Sequence, residues 1–312
     1  MHCAICKNHQ LKKFLSLGHQ PPSDAFVREE GLSDPEITYP LDLYFCKNCT
    51  LVQLGYAVDP EILFRDYVYN SGSNNALKAN FAELVSNVIE TYVLQKGDLA
   101  IDIGSNDGAL LENYLQYGVN ILGIDPSSVT SIAIEKGIPT VVDFFNKTTA
   151  ERAAKQYGRA KIITATNVFA HVDDLDSFME GVTTLLSPEG VFITESGYVV
   201  DMIEGMQYDS IYHEHLRYYS MASLNKLFER FNMEIIRTEK IKSHGGSIRV
   251  YASMRGAHKI DPSVEILISK EKESGYHDIA PYEEFAMRVA ETKLRLLEII
   301  LGLKKEIGRA HV

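Results

Sequence analysis

Cysteine is scarce in this sequence of 312 residues. Only Cys3, Cys6, Cys46 and Cys49 occur, which excludes a scaffold stapled along its length by disulfides. Positive charge is also short. Lys and Arg total 31 against 42 Asp and Glu, the net charge is −11, and no basic block occurs. A nucleic-acid partner needs a positive footprint, so none is expected. No apolar run approaches the ~20 residues of a membrane span, so no membrane partner is expected. Met1-His2-Cys3 opens no signal-peptide pattern. No repeat or low-complexity segment stands out. What remains is a globular composition long enough for one large or two ordinary domains. A cytoplasmic setting follows by default.

The richest stretch is Asp102-Ile103-Gly104-Ser105-Asn106-Asp107-Gly108. An apolar run (Leu99-Ala100-Ile101) precedes it, and a helical pattern (Ala109, Leu110, Leu111, Tyr114, Leu115) follows. Strand, glycine turn and helix in that order make a nucleotide-binding βα unit. The glycines let backbone approach a ligand, and a helix N-terminus offers free N–H groups. Asp125 closes the next apolar run, 21 residues beyond Gly104, where a carboxylate can accept hydrogen bonds from ribose hydroxyls. A dinucleotide fingerprint wants glycine where Asn106 stands. The pattern Asp-x-Gly-x-x-x-Gly instead resembles the first motif of class I S-adenosylmethionine (SAM) methyltransferases. SAM has no pyrophosphate, and its amino-acid end suits loop amides and polar groups such as Asn106 and Asp107. The alternative is an ordinary βα turn without ligand.

The cysteines form two Cys-x-x-Cys pairs with 39 residues between them. Two such pairs can complete a tetrahedral four-thiolate zinc site, which leaves no open position for catalysis. A structural Zn2+ is therefore expected on Cys3, Cys6, Cys46 and Cys49. Disulfides or free thiols are the alternative.

The expected organisation is a zinc-binding module (1–57), a helical linker or lid (58–96), a SAM-binding domain (97–256) and a helical C-terminal segment (257–312). Strands are predicted at 99–103, 121–124, 140–142, 161–165, 191–195, 234–240 and 248–254. The last two form an antiparallel hairpin around Gly245-Gly246. Seven strands closed by a hairpin give an α/β fold of class I methyltransferase topology, a Rossmann-like sheet. One strand is expected at 39–45, and long helices at 76–94 and 282–306.

Open α/β sheets bind ligands beyond the C-terminal ends of their strands. Asn167 and His171 follow the fourth predicted strand. Further on comes Tyr212-His213-Glu214-His215-Leu216-Arg217-Tyr218-Tyr219-Ser220, dense in proton-transfer groups. Methylation at carbon needs a base to remove a C–H proton and a donor for the resulting enolate. His213 and His215 could instead hold a metal, or the segment could be a structural loop of buried polar groups. His244-Gly245-Gly246-Ser247 either touches substrate or shapes the hairpin turn.

Taken together, two Cys-x-x-Cys pairs around the loop Gly18-His19-Gln20-Pro21-Pro22-Ser23-Asp24-Ala25-Phe26, Asp-x-Gly-Ser-Asn-Asp-Gly, Tyr-His-Glu-His-x-x-Tyr-Tyr-Ser and His-Gly-Gly-Ser-x-Arg-Val-Tyr resemble the zinc-containing C-methyltransferases of nucleotide-linked 4-keto-deoxysugars, usually dTDP-linked. The resemblance covers residues 1 to about 306. It implies His215 as general base, Tyr212 and Glu214 as its assistants, and His171 beside the sugar. Asp102, Gly104, Asn106, Asp107, Gly108, Asp125 and Asn167 hold SAM on this reading. Tyr67 covers it, with Tyr69 as the alternative. The expected reaction is C-methylation alpha to the ketone, at C3. The family usually continues beyond the long helix into a further domain, and Gly308-Arg309-Ala310-His311-Val312 does not match it, so a truncated chain is expected. The rival readings are an O- or N-methyltransferase of another small metabolite, and a truncated zinc- and SAM-binding protein without turnover. A monomer is expected, although the sequence leaves the oligomeric state open.

Overall fold

The computed structural model describes residues 1–23, 26–64 and 70–309, apart from the side chains at 244, 308 and 309. Near the N-terminus lie three antiparallel strands, β1 (Leu11–Gln20), β2 (Tyr39–Cys46) and β3 (Val52–Leu54). In β2 the apolar positions Leu41, Leu43 and Phe45 alternate with less buried ones, the two-residue period of a sheet with one packed face. The chain continues through α1 (Pro60–Phe64) and α2 (Asn75–Thr91). The Asn74 side chain caps α2 by accepting from the amides of Ala76 and Leu77. Leu77, Phe81, Leu84, Val85 and Val88 then bury one face.

The large sheet contains β4 (Leu99–Ile103), β5 (Asn120–Ile124), β6 (Thr140–Val141), β7 (Ala160–Thr166), β8 (Leu186–Gly197), β10 (Met233–Ile241) and β11 (Ser247–Met254). Its order is β10-β11-β8-β7-β4-β5-β6. All pairs are parallel except those of β11, which runs antiparallel to β8 and to β10. This is the class I methyltransferase sheet. Its central strands are buried on both faces. On β4, Ile101 and Ile103 join one apolar cluster with Phe169 and Phe192, while Ala100 joins the other with Leu84 and Tyr114. The helical pattern after Gly108 is realised as a 3-10 helix, Leu111–Tyr117, ended by Gly118 at φ +69°. Further helices are α3 (Thr130–Glu135), α4 (Lys147–Tyr157), α5 (Leu175–Leu185), α6 (Val199–Glu204) and α7 (Met221–Arg230).

Between β8 and β10 lies β9 (Arg217–Tyr218), which does not join the large sheet. It pairs antiparallel with β3, Val52 opposite Tyr218 and Gln53 opposite Arg217, and completes the small sheet in the order β1-β2-β3-β9. The two parts of the chain are thus joined by backbone hydrogen bonds.

At the C-terminal side lie α8 (Pro262–Glu273) and α9 (Ala280–Arg309). Buried Glu271 of α8 accepts from the Met221 amide (2.6 Å), the Ala222 amide (3.1 Å) and the Tyr198 hydroxyl (2.7 Å). A carboxylate there satisfies the first free amides of α7. On α9, Tyr282 packs against Phe45 of β2 with ring centroids 4.7 Å apart. Beyond Val289, apolar side chains of α9 such as Leu294, Leu297, Leu301 and Ile307 are exposed. Among the described residues, no helix is long and apolar enough to cross a membrane.

Candidate functional site

A cleft of about 1310 Å³ opens at the C-terminal ends of the parallel strands. Gly104, leaving β4, has φ +69°, and a Cβ there would stand 2.1 Å from Val168 Cγ2. Only glycine fits that position. The Asn106 amide donates to Asp125 Oδ2 (2.9 Å), while Asp125 Oδ1 accepts from the Ser127 amide (2.8 Å) and hydroxyl (2.5 Å). The carboxylate is therefore fixed at the end of β5, on the cleft wall. Asn106 Oδ1 accepts from the Ser71 amide (3.0 Å), which ties the segment before α2 to the glycine turn. Asp102 is buried and accepts from Thr164 Oγ1 (2.5 Å). Burial, aided by the nearby Asp125 charge, pushes its carboxyl up to about 7.

Of the residues expected around SAM, Asp102, Gly104, Asn106, Asp125 and Asn167 line this cleft. Asp107 and Gly108 are not among its lining residues. The Asp107 carboxylate accepts from the amides of Gly72 (3.2 Å) and Ala109 (3.3 Å) and faces Lys136 Nζ at 3.7 Å. A Cβ on Gly108 would meet Ile138 Cδ1 at 2.3 Å. Both residues therefore shape the turn. Tyr67 and Tyr69 fall outside the described residues. Sequence reasoning passed over Asp143 and Phe144, which line the cleft just beyond β6. An acidic and an aromatic residue directly after the third parallel strand was the available signal.

The same cleft is lined by Tyr212, Glu214, His215 and His171. His215 Nδ1 lies 3.0 Å from the Ser210 carbonyl, and its Nε2 lies 2.8 Å from the Tyr212 hydroxyl. A carbonyl only accepts, so Nδ1 carries the proton, and in the neutral ring Nε2 accepts from Tyr212. His171 packs edge-to-face on His215, ring centroids 5.1 Å apart. Burial, with a smaller effect of His215, pushes the His171 imidazole down to about 3, so it stays neutral at working pH. Buried Glu214 accepts from the Ser23 hydroxyl at 3.1 Å. Ser23 thus brings the N-terminal loop to the cleft. His213 does not join the group. Its Nε2 lies 3.3 Å from the Tyr39 carbonyl and its ring packs edge-on to Tyr39. The two imidazoles are engaged on different partners, so the structure does not favour a metal between them.

His171 yields a pH prediction. Its folded pKa lies below the ordinary 6.5, so the unfolded chain binds the proton first on acidification. The stability it contributes is complete above pH 6.5 and is lost as pH falls toward 3. Urea midpoints of wild type and His171→Asn should diverge below pH 6.5, the wild type losing more, by at most about 1.4 kcal/mol per pH unit. Parallel curves would refute this assignment. The raised carboxyl of Asp102 acts in the opposite sense in both proteins and cancels from the comparison.

Gly245 and Gly246 line the cleft at φ +81° and +130°. Cβ atoms there would strike Gln207 and Asp201 at 2.4 and 2.7 Å. The arginine of the same motif is structural. Fully buried Arg249 donates through Nε (3.0 Å) and a terminal nitrogen (2.8 Å) to buried Glu195, and to Asn80 of α2 (2.7 Å). Ser243 Oγ donates to the same carboxylate at 3.1 Å. Helix α2, β8, β11 and the hairpin turn therefore meet at one charge pair.

The four cysteines converge away from the cleft. All four sulfurs lie within 4.8 Å of one another, unlinked by disulfides. Among the described residues, this is the one cluster of metal-donor side chains. Each pair sits on a matching turn. The amide of Lys7 donates to the Cys3 carbonyl (3.0 Å) and that of Thr50 to the Cys46 carbonyl (2.8 Å), with both residues left-handed at φ +58° and +61°. The Cys3 and Cys49 sulfurs stand 3.4 Å apart and those of Cys6 and Cys46 3.5 Å apart. Four convergent sulfurs, joined by no other donor side chain among the described residues, suit a tetrahedral zinc ion.

Fold and cleft together define a class I SAM-dependent methyltransferase with a four-cysteine module at its N-terminus. Comparison with known families agrees. Residues 3–64 match a zinc binding domain, residues 76–238 a methyltransferase domain, and residues 242–310 a C-methyltransferase C-terminal domain. The chain is 31% identical over 303 residues to the C-methyltransferase NovU of Streptomyces niveus, spanning 96% of this chain and 72% of that protein. The protein therefore belongs to this family of SAM-dependent C-methyltransferases. A ubiquinone biosynthesis O-methyltransferase of Escherichia coli is 31% identical over 99 residues, 30% of this chain and 40% of that one. Among solved structures, a SAM-dependent methyltransferase from Clostridium acetobutylicum superimposes with TM-score 0.46 at 15% identity, over 57% of this chain and 92% of its own. The magnesium protoporphyrin IX methyltransferase of Synechocystis gives 0.43 at 16% identity, over 57% and 86%.

Proposed function

We propose that the protein methylates the carbon alpha to the ketone, C3, of a nucleotide-linked 4-keto-deoxysugar, with dTDP as the nucleotide. The observation that carries this reading is the Tyr212–His215 pair on the wall of the same cleft as Asp125. A heteroatom acceptor needs only a weak base, whereas a carbon acceptor needs a positioned one. The ketosugar and its nucleotide rest on the motif order of the sequence.

Bound SAM supplies an electrophilic methyl group. Gly104, Asn106, Asn167 and Asp125 would hold it, Asp125 accepting from the ribose hydroxyls, with Asp143 and Phe144 beside the base. The proton leaves C3 for His215 Nε2, with the Tyr212 hydroxyl on its path. The Ser210 carbonyl, holding Nδ1–H, stabilises the imidazolium that forms. Neutral His171 and the Tyr212 hydroxyl face the developing enolate oxygen, and Glu214 orients the segment from its bond to Ser23. These residues would align the deprotonated carbon with the methyl group that SAM would give up, S-adenosylhomocysteine being the product released, and such alignment of two bound reactants supplies much of the rate.

The test is incubation with SAM and a dTDP-4-keto-6-deoxysugar, followed by NMR of the product. A new methyl group on carbon is expected. In D2O with S-adenosylhomocysteine (SAH) in place of SAM, deuterium should enter at C3. A methyl on oxygen or nitrogen, without exchange at C3, would overturn the reading.

A further inference from the structure

The residue after the second cysteine of each turn adopts a left-handed conformation. At the first turn it is Lys7. At the second it is Thr50, φ +61°. A β-branched residue is poorly suited to that region, where glycine or asparagine is far easier to accommodate. Strain of this kind persists where the side chain has a use. The Thr50 hydroxyl is buried and lies 3.0 Å from the hydroxyl of fully buried Ser220.

Ser220 ends the segment that holds Tyr212 and His215. It also caps α7, its hydroxyl accepting from the Ser223 amide at 3.1 Å. Along this segment the N-terminal module makes a series of bonds. His213 meets the Tyr39 carbonyl, Glu214 accepts from Ser23, and the Leu216 carbonyl accepts from the Leu54 amide at 3.0 Å. Tyr218 pairs with Val52. The Thr50–Ser220 bond is the last of the series, and the one made directly from a cysteine turn.

We propose that Thr50 is a positioning residue: its hydroxyl, held by the second cysteine turn, fixes Ser220 and through it the Tyr212–His215 segment. The catalytic consequence rests on His215 being the base, as proposed above, whereas the mechanical coupling does not. Two hydroxyls that can each donate or accept make a bond that valine cannot replace and serine can. Loss of this bond leaves Ser220 its contact with Ser223, so the fold is preserved.

The test uses the full chain with Thr50→Val, Thr50→Ser and Thr50→Gly. T50V should keep the wild-type zinc content and SAH affinity. Its kcat should fall about tenfold, since small misplacements of reacting groups carry costs of that order or more. Hydrogen exchange of amides 214–219 in the SAH complex, without sugar, should quicken by about tenfold. T50S should restore both. T50G relieves the backbone and should melt at or above the wild-type temperature, yet match T50V in kcat and exchange. A purely structural residue would not separate stability from rate in this way. Wild-type exchange across 214–219 in both T50V and T50G would overturn the coupling. If no variant, nor the wild type, methylates the ketosugar, the proposed substrate fails and the exchange data alone decide the role of Thr50.

Discussion

In the His215→Ala variant, turnover is expected to fall by about 10²–10⁴-fold, the range for loss of a positioned general base. SAH affinity should stay within a factor of about two. His215 contacts Ser210, Tyr212 and His171, whereas the Asn106 amide bonds to Asp125 and the Asp125 carboxylate to Ser127. Removing the ring also leaves the Tyr212 hydroxyl without the acceptor that orients it. Deuterium entry at C3 should vanish together with methyl transfer, because both require the same deprotonation. A variant that exchanges C3 normally but fails to methylate would move the base elsewhere and leave His215 an alignment role. Normal turnover would remove it from the mechanism. Steady-state rates, NMR exchange and SAH calorimetry on one preparation separate these outcomes.

Stripping the metal with a strong chelator, or replacing Cys49 with Ser, is expected to lower the melting temperature by on the order of 10 °C or more. Structural zinc couples a large binding free energy to folding, and a few kcal/mol move the midpoint of a chain this size by that amount. Without the ion, four sulfurs within 4.8 Å of one another would be left with nothing to hold them together. Methyl transfer should be lost by at least about tenfold even below the new melting temperature, since Tyr39, Ser23, Thr50 and Leu54 all brace the segment carrying His215. SAH binding should survive. Metal content by mass spectrometry, taken with melting and turnover, checks this. A zinc-free protein with unchanged turnover would show the module to be dispensable for the reaction.

The large sheet was legible in sequence because its strands are short apolar runs punctuated by glycine and polar turns. All seven predicted strands are present, and β8 departs most, starting at Leu186 where 191 was expected. The four-cysteine cluster was equally legible, since Cys-x-x-Cys states its own geometry. Strand β1 was not. Its Leu11–Gln20 segment is largely exposed and carries no clean alternation, because only Leu15 is buried, while Leu11, Phe14 and Leu17 pack partly against the core. Nor was β9, whose two residues become a strand only through pairing with β3. The helix expected after Gly108 became a tight 3-10 segment. Asp107 stands in a ligand motif, and its engagement by Gly72, Ala109 and Lys136 is fixed by tertiary structure and was not legible in the sequence. His213 and His215 look alike in sequence, and only their tertiary contacts, Tyr39 on His213 and Ser210, Tyr212 and His171 on His215, distinguish them.

The pairing of β3 with β9 has a consequence for biosynthesis. Val52, Gln53 and Leu54 are all buried in the finished protein, but their partner strand leaves the ribosome only after most of the large sheet has been made. At ordinary translation speeds that interval is roughly 10–30 s. Throughout it the cysteine module presents an unpaired apolar edge, the kind of template that recruits other chains. The module therefore cannot mature as an independent first domain. Residues 1–64 produced alone should bind metal and yet self-associate, and a nascent chain stalled before Arg217 should depend on chaperones until β9 arrives.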